Sequence, residues 1–103
     1  MCEIFARQDP EQYKNELRSL RLAGRSTSIR LERKFWQILD EIAESQDMST
    51  PRFLSTLYDE VIEIHGEVPN FASLLRVTCM IYKQESAAGA MPVLPPQALT
   101  AAE

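Results

Sequence analysis

Ser26, Ser28 and Arg30 occupy alternate positions of the run Ser26-Thr27-Ser28-Ile29-Arg30-Leu31. In an extended strand, alternate side chains share a face, so two hydroxyls and a guanidinium stand together opposite Thr27, Ile29 and Leu31. Such a face is a hydrogen-bonding surface. The guanidinium fork of Arg30 can meet two neighbouring acceptors at once, as on a guanine edge, worth about 1–3 kcal/mol of discrimination. The serines are short readers that tolerate several bases. A strand with this face is what a β-ribbon in a DNA major groove requires. Arg25, Arg33, Lys34 and Arg52 are candidate phosphate contacts.

Other reactive types read as structural. Trp36 and Tyr58 adjoin apolar helix positions and are expected to pack. His65 falls at a helix end, where it complements the dipole. Asp40, Glu41 and Glu44, and then Asp59, Glu60 and Glu63, have helical spacing but no partner histidine or apolar pocket; they read as solvated helix faces. Cys2 and Cys79 with one histidine make no zinc spacing. Cys79 reads as a buried small hydrophobe and Cys2 as a free thiol. There is no glycine-rich phosphate loop or nucleophile elbow. The expectation is a non-enzyme with no catalytic residue, no metal and no cofactor.

The 103 residues carry a net charge of −4, unevenly spread. Residues 1–34 hold eight Lys/Arg and five Asp/Glu, whereas residues 35–103 hold three and ten. A basic patch on an acidic body can still bind phosphate, while the acidic remainder weakens indiscriminate binding. No apolar run reaches membrane-spanning length. Met1-Cys2-Glu3-Ile4-Phe5 lacks the basic start and long apolar stretch of a secretory leader, so the expected compartment is the cytoplasm.

These residues need elements to hold them. Asp9-Pro10-Glu11-Gln12 predicts a short capped helix to about Glu16, with Gln12 closing a capping box; it lies in an N-terminal arm over residues 1–17. Strands are expected at 18–22 and 26–31, since Ser19-Leu20-Arg21-Leu22 echoes Ser28-Ile29-Arg30-Leu31 across Gly24. They pair within one chain, or Ser26–Leu31 pairs with its copy in a second chain, or both pairings form on different edges. A first amphipathic helix spans about 33–45, with Phe35, Ile38, Leu39, Ile42 and Ala43 on one face. Ser49 or Thr50 caps a second helix over about 50–65, with Pro51 in its first turn and Gly66 as its left-handed stop. Its apolar surface is too broad for one contact stripe. Asn70 caps a third helix within 67–86. Residues 87–103, rich in alanine and proline, read as a disordered tail.

Strand and two helices occupy only about forty residues, a core that rarely stands alone without oligomerising. A two-fold dimer supplies the missing partner and matches a pseudo-palindromic DNA site. On these residues, Ser26 through Ile64 resembles the ribbon-helix-helix domain, the family of small dimeric bacterial DNA-binding regulators. The run Ser26–Trp36, with Asn70-Phe71-Ala72-Ser73-Leu74-Leu75-Arg76-Val77, is similar to a subfamily of short bacterial members. The similarity covers about residues 17–84.

The resemblance implies a mainly α fold with a short β-ribbon, an intertwined homodimer, and a third helix added after the core. It implies that Ser26, Ser28 and Arg30 read base edges, and that Ile29, Leu31 and Phe35 are buried anchors. It places Ser49 and Thr50 at the helix start whose amides hold a DNA phosphate. Three features depart from the pattern: Pro51 removes one amide donor, Arg18–Leu22 adds a strand, and the third helix is extra. The function expected is a homodimeric regulator that inserts a β-ribbon into double-stranded DNA. The alternative is a protein-interaction module, an antitoxin or adaptor, using the third helix or the tail.

Overall fold

Ala23 and Gly24 both take positive φ, 53° and 81°. Two such residues in a row make the two-residue turn whose twist matches a right-handed hairpin. In the computed structural model, which describes residues 2–87, this turn joins strand β1 (Asn15–Leu22) to β2 (Arg25–Glu32). The pairing is antiparallel and within one chain, with Leu22 opposite Arg25, Leu20 opposite Thr27 and Leu17 opposite Arg30. Both strands run longer than the sequence suggests, because the pairing continues to Asn15 opposite Glu32.

Before the hairpin lie α1 (Cys2–Ala6), wholly exposed, and a 3-10 turn at Pro10–Tyr13. The helix expected from Asp9 to about Glu16 is therefore a single turn. Asp9 does cap it, its carboxylate accepting from the Glu11 amide at 3.0 Å. The capping box does not form: the Gln12 side-chain oxygen is buried with no partner among the described residues. Pairing of Asn15 and Glu16 with β2 takes the chain out of helical geometry first.

After β2 the chain turns at once into α2 (Arg33–Ser45), then α3 (Thr50–His65) and α4 (Phe71–Ala87). Ser49 caps α3, its Oγ accepting from the Arg52 amide at 3.3 Å. Gly66 ends α3 at φ 84°, where a side chain would be strained. Asn70 caps α4, its Oδ1 accepting from the Ser73 amide at 3.0 Å. The expected tail lies, beyond Ala87, outside the described residues. Among the described residues, no helix is long and apolar enough to cross a membrane.

One core unites these pieces. The inner hairpin face gives Leu20, Leu22, Ile29 and Leu31, α2 gives Trp36, Ile38, Leu39 and Ile42, α3 gives Leu54, and α4 gives Leu75 and Cys79. Each large member contributes about 1.5–3 kcal/mol by leaving water. The anchor at the start of α2 is Trp36, fully buried, and not Phe35, which is half-buried. The indole decides this: its N–H donates to the Glu16 carbonyl at 2.8 Å, and the Arg18 guanidinium lies 4.5 Å from its ring centre. Phe35 turns instead toward Arg76 of α4.

Candidate nucleic-acid interface

Register determines which residues share the outer face of the hairpin. Ser26 faces Arg21, Ser28 faces Ser19 and Arg30 faces Leu17. All six are exposed. Ser26, Ser28 and Arg30 thus form one row, as their alternation suggests, and a second row from β1 runs beside it. Arg21 and Ser19 are not among the contacts expected from sequence. The echo of β2 in β1 was the available signal, since a paired strand with the same alternation must present its own polar row.

The cations divide sharply. Arg7 pairs with Glu3, Lys14 with Glu11, Arg18 with Glu16 and Asp40, Arg33 with Glu11 and Glu16, Arg76 with Glu32, and Lys83 with Glu41. Arg21, Arg25, Arg30, Lys34 and Arg52 form no ion pair among the described residues. These five belong to the hairpin or to the first turns of α2 and α3. An unpaired exposed cation keeps its full charge for an incoming anion, whereas a paired one must first lose a partner.

Other expected contacts are committed elsewhere. Arg33 donates to Glu11 at 3.2 Å and Glu16 at 3.4 Å, and its amide bonds the Lys14 carbonyl at 2.8 Å, closing the open end of the hairpin. Thr50 donates its hydroxyl to Asp40 at 2.6 Å. The amides of Arg52 and Phe53 both bond Ser49, and Pro51 has none, so the start of α3 offers few free donors.

Asp40, expected on a solvated face, instead receives both terminal nitrogens of Arg18, at 2.9 and 3.2 Å. Burial pushes its carboxyl up, but hydrogen bonds from Arg18 and Thr50 outweigh this and hold it below the ordinary aspartate value. The Arg18 hydrogen bond likewise draws Glu16 down, against burial, with Arg33 assisting. Glu41 meets Tyr82 and Lys83 of α4. Among the described residues no group of three His, Cys, Asp or Glu side chains is placed to hold a metal.

A folded-state carboxyl held low stabilises the fold fully above its unfolded pKa, and loses that contribution as pH falls through the folded value. The urea midpoint should therefore drop as pH falls from about 5 toward 2. Arg18→Met keeps the aliphatic stem and should show a shallower drop. Equal acid dependence in both proteins would remove Arg18 as the cause.

Between the β1 edge and α3 lies an open groove of about 560 Å³, lined by Ser19, Leu20, Arg21, Ser26, Ser49, Pro51 and Arg52. It joins the outer hairpin face to the start of α3. The flanking elements are legible in known proteins. Residues 15–83 match the family model for the ribbon-helix-helix domain. A solved structure of an uncharacterized protein from Bordetella pertussis Tohama I is 42% identical, with TM-score 0.87, over 96% of this chain and 86% of that one. No curated protein matches the chain.

Proposed function

Because the chain belongs to the ribbon-helix-helix domain family, we propose that it is a homodimeric DNA-binding regulator that presents the outer face of β2 to the major groove. Members of this family are typically DNA-binding regulators or antitoxins and typically dimerise. One observation carries the reading: the ion-paired cations lie off the outer hairpin face, whereas those without an ion pair among the described residues are Arg21 and Arg30 on that face, Arg25 at the hairpin turn, and Lys34 and Arg52 in the first turns of α2 and α3.

Two features support a second copy. Among the described residues the sheet has the two strands β1-β2, so the far edge of β2 has no strand partner there and can take the same strand of a second copy, antiparallel about a two-fold axis. Only Leu54 of α3 is fully buried, while Phe53, Leu57, Tyr58 and Val61 are half-buried and Ile62 and Ile64 are exposed. A helix with so much uncovered apolar surface is completed by packing on a partner.

In this arrangement Arg30 reads a base edge, Ser26 and Ser28 let the strand approach closely, and Arg25 and Lys34 meet phosphates. The test is fluorescence-anisotropy titration of the full chain on duplexes selected from a random pool, against a scrambled duplex. Affinity should fall with salt at a slope near −0.9 per phosphate neutralised. A protein with no duplex preference and no salt slope would remove the reading.

A second reading rests on α4, where Val77, Met80 and Ile81 form an exposed apolar stripe. That stripe suits a protein partner, as an antitoxin or adaptor would need. Stoichiometric co-purification of one protein, with no duplex selected, would favour this reading over the first.

A further inference from the structure

We infer that the hairpin of a single chain is already a complete two-stranded reading ribbon, in which Arg21 of β1 reads a base edge as the pseudo-symmetric counterpart of Arg30. The inference rests on the DNA-binding reading, adds a specificity residue to it, and selects the way a second copy joins.

The sequence echo across Gly24 becomes a symmetry once the strands pair. Ser19 lies opposite Ser28. A local two-fold axis through that pair, normal to the sheet, exchanges the two antiparallel strands. It carries Ser19-Leu20-Arg21-Leu22 onto Ser28-Ile29-Arg30-Leu31. The inner residues obey it, since Leu20 and Ile29, and likewise Leu22 and Leu31, are all buried in the core. The outer residues obey it too. Ser19 and Ser28 are exposed at the centre, and Arg21 and Arg30 are exposed at opposite corners.

Neither arginine forms an ion pair among the described residues. One terminal nitrogen of Arg21 donates to the Gly24 carbonyl at 3.0 Å, and its remaining donors suffice for a bidentate contact. On the outer face the match breaks at one place, where Leu17 takes the position that corresponds to Ser26. Leu17 stands opposite Arg30 and is 52% exposed, an apolar group suited to a thymine methyl.

Dimensions favour one hairpin per groove. Two strands about 4.8 Å apart fit a major groove about 12 Å wide. Pairing two copies at the far edge of β2 would make four strands, with the outer two about 14 Å apart and beyond that width. Packing two copies through the uncovered apolar surface of α3 leaves each hairpin a groove of its own. Ser26, which faces Arg21, is four residues from Arg30, about 14 Å along the strand. At a rise of about 3.4 Å per base pair, that spans about four base pairs. Because a two-fold axis relates them, the two guanidiniums meet opposite DNA strands. Each chain thus reads a short inverted pair of guanines by itself, and a second copy doubles the unit.

The test is anisotropy titration of wild type, Arg21→Ala and Arg30→Ala on a pool-selected duplex and a scrambled one. It is repeated on the selected duplex with each guanine in turn replaced by 7-deazaguanine, which lacks the N7 acceptor. Both variants should lose affinity for the selected duplex, about 5- to 150-fold per contact, and change far less on the scrambled one. Replacing one particular guanine should weaken wild type about tenfold and leave Arg21→Ala unmoved. A second guanine, about four base pairs away on the other strand, should do the same for Arg30→Ala.

If Arg30→Ala loses the selected duplex while Arg21→Ala keeps it, β2 alone reads bases; the inference is then wrong and the DNA-binding reading stands. If Arg21→Ala weakens both duplexes equally, or stays sensitive to every replaced guanine, Arg21 reads no base and the inference is again wrong. If wild type binds neither duplex, both fall together.

Discussion

Trp36→Ala should lower unfolding stability by about 3–5 kcal/mol, the range for removing a fully buried tryptophan. The indole is the one large aromatic completely buried among the described residues, and three things leave with it. The core between the hairpin and α2 acquires a cavity. The Glu16 carbonyl loses its donor at 2.8 Å. Arg18 loses the ring 4.5 Å from its guanidinium carbon while still held by Asp40. Trp36→Phe separates these effects, because it keeps most of the volume and removes the N–H. It should cost less, about 1–3 kcal/mol for the carbonyl left without a partner. Urea unfolding at one fixed protomer concentration measures both, since dimerisation would otherwise shift the midpoint. A Trp36→Ala loss below 1 kcal/mol would mean that β1 and α2 are not joined through this side chain.

Arg30→Ala should leave folding unchanged and reduce binding to a selected operator. A bidentate arginine–guanine contact is worth about 1–3 kcal/mol, and a two-fold dimer carries it twice. The expected loss is therefore about 2–6 kcal/mol on the selected duplex, with a much smaller change on a scrambled one. The guanidinium is exposed and forms no ion pair among the described residues, so its removal uncovers no charge. Arg30→Lys is the informative companion. It keeps the charge but not the planar fork, so it should retain scrambled binding and lose discrimination. Equal affinities of wild type and Arg30→Ala for the selected operator would take base reading away from this position.

Much of the molecule is legible before folding is considered. The period-two alternation from Ser26 to Leu31 determines which residues share a face, because it is a property of any extended strand. The caps at Ser49 and Asn70 and the stop at Gly66 are equally local, since each depends on residues within a turn of the chain. The family resemblance rests on these same short-range patterns, and the match over residues 15–83 bears it out.

Tertiary structure decided what depends on distant partners. Helical periodicity cannot choose between neighbours such as Phe35 and Trp36. The choice falls to a carbonyl and a guanidinium on β1, twenty and eighteen residues away in sequence from Trp36. Charge counting marks Arg18, Arg33 and Arg30 alike. Only folding spends Arg18 on Asp40 and Arg33 on Glu11 and Glu16, and leaves Arg30 open. The intrachain pairing of β1 with β2 closed one edge of β2 and left the other without a strand partner among the described residues, and the packing of α3 on β1 put Arg21 and Arg52 on one groove. Ion pairs and grooves depend on distances across the fold, which a linear pattern does not contain.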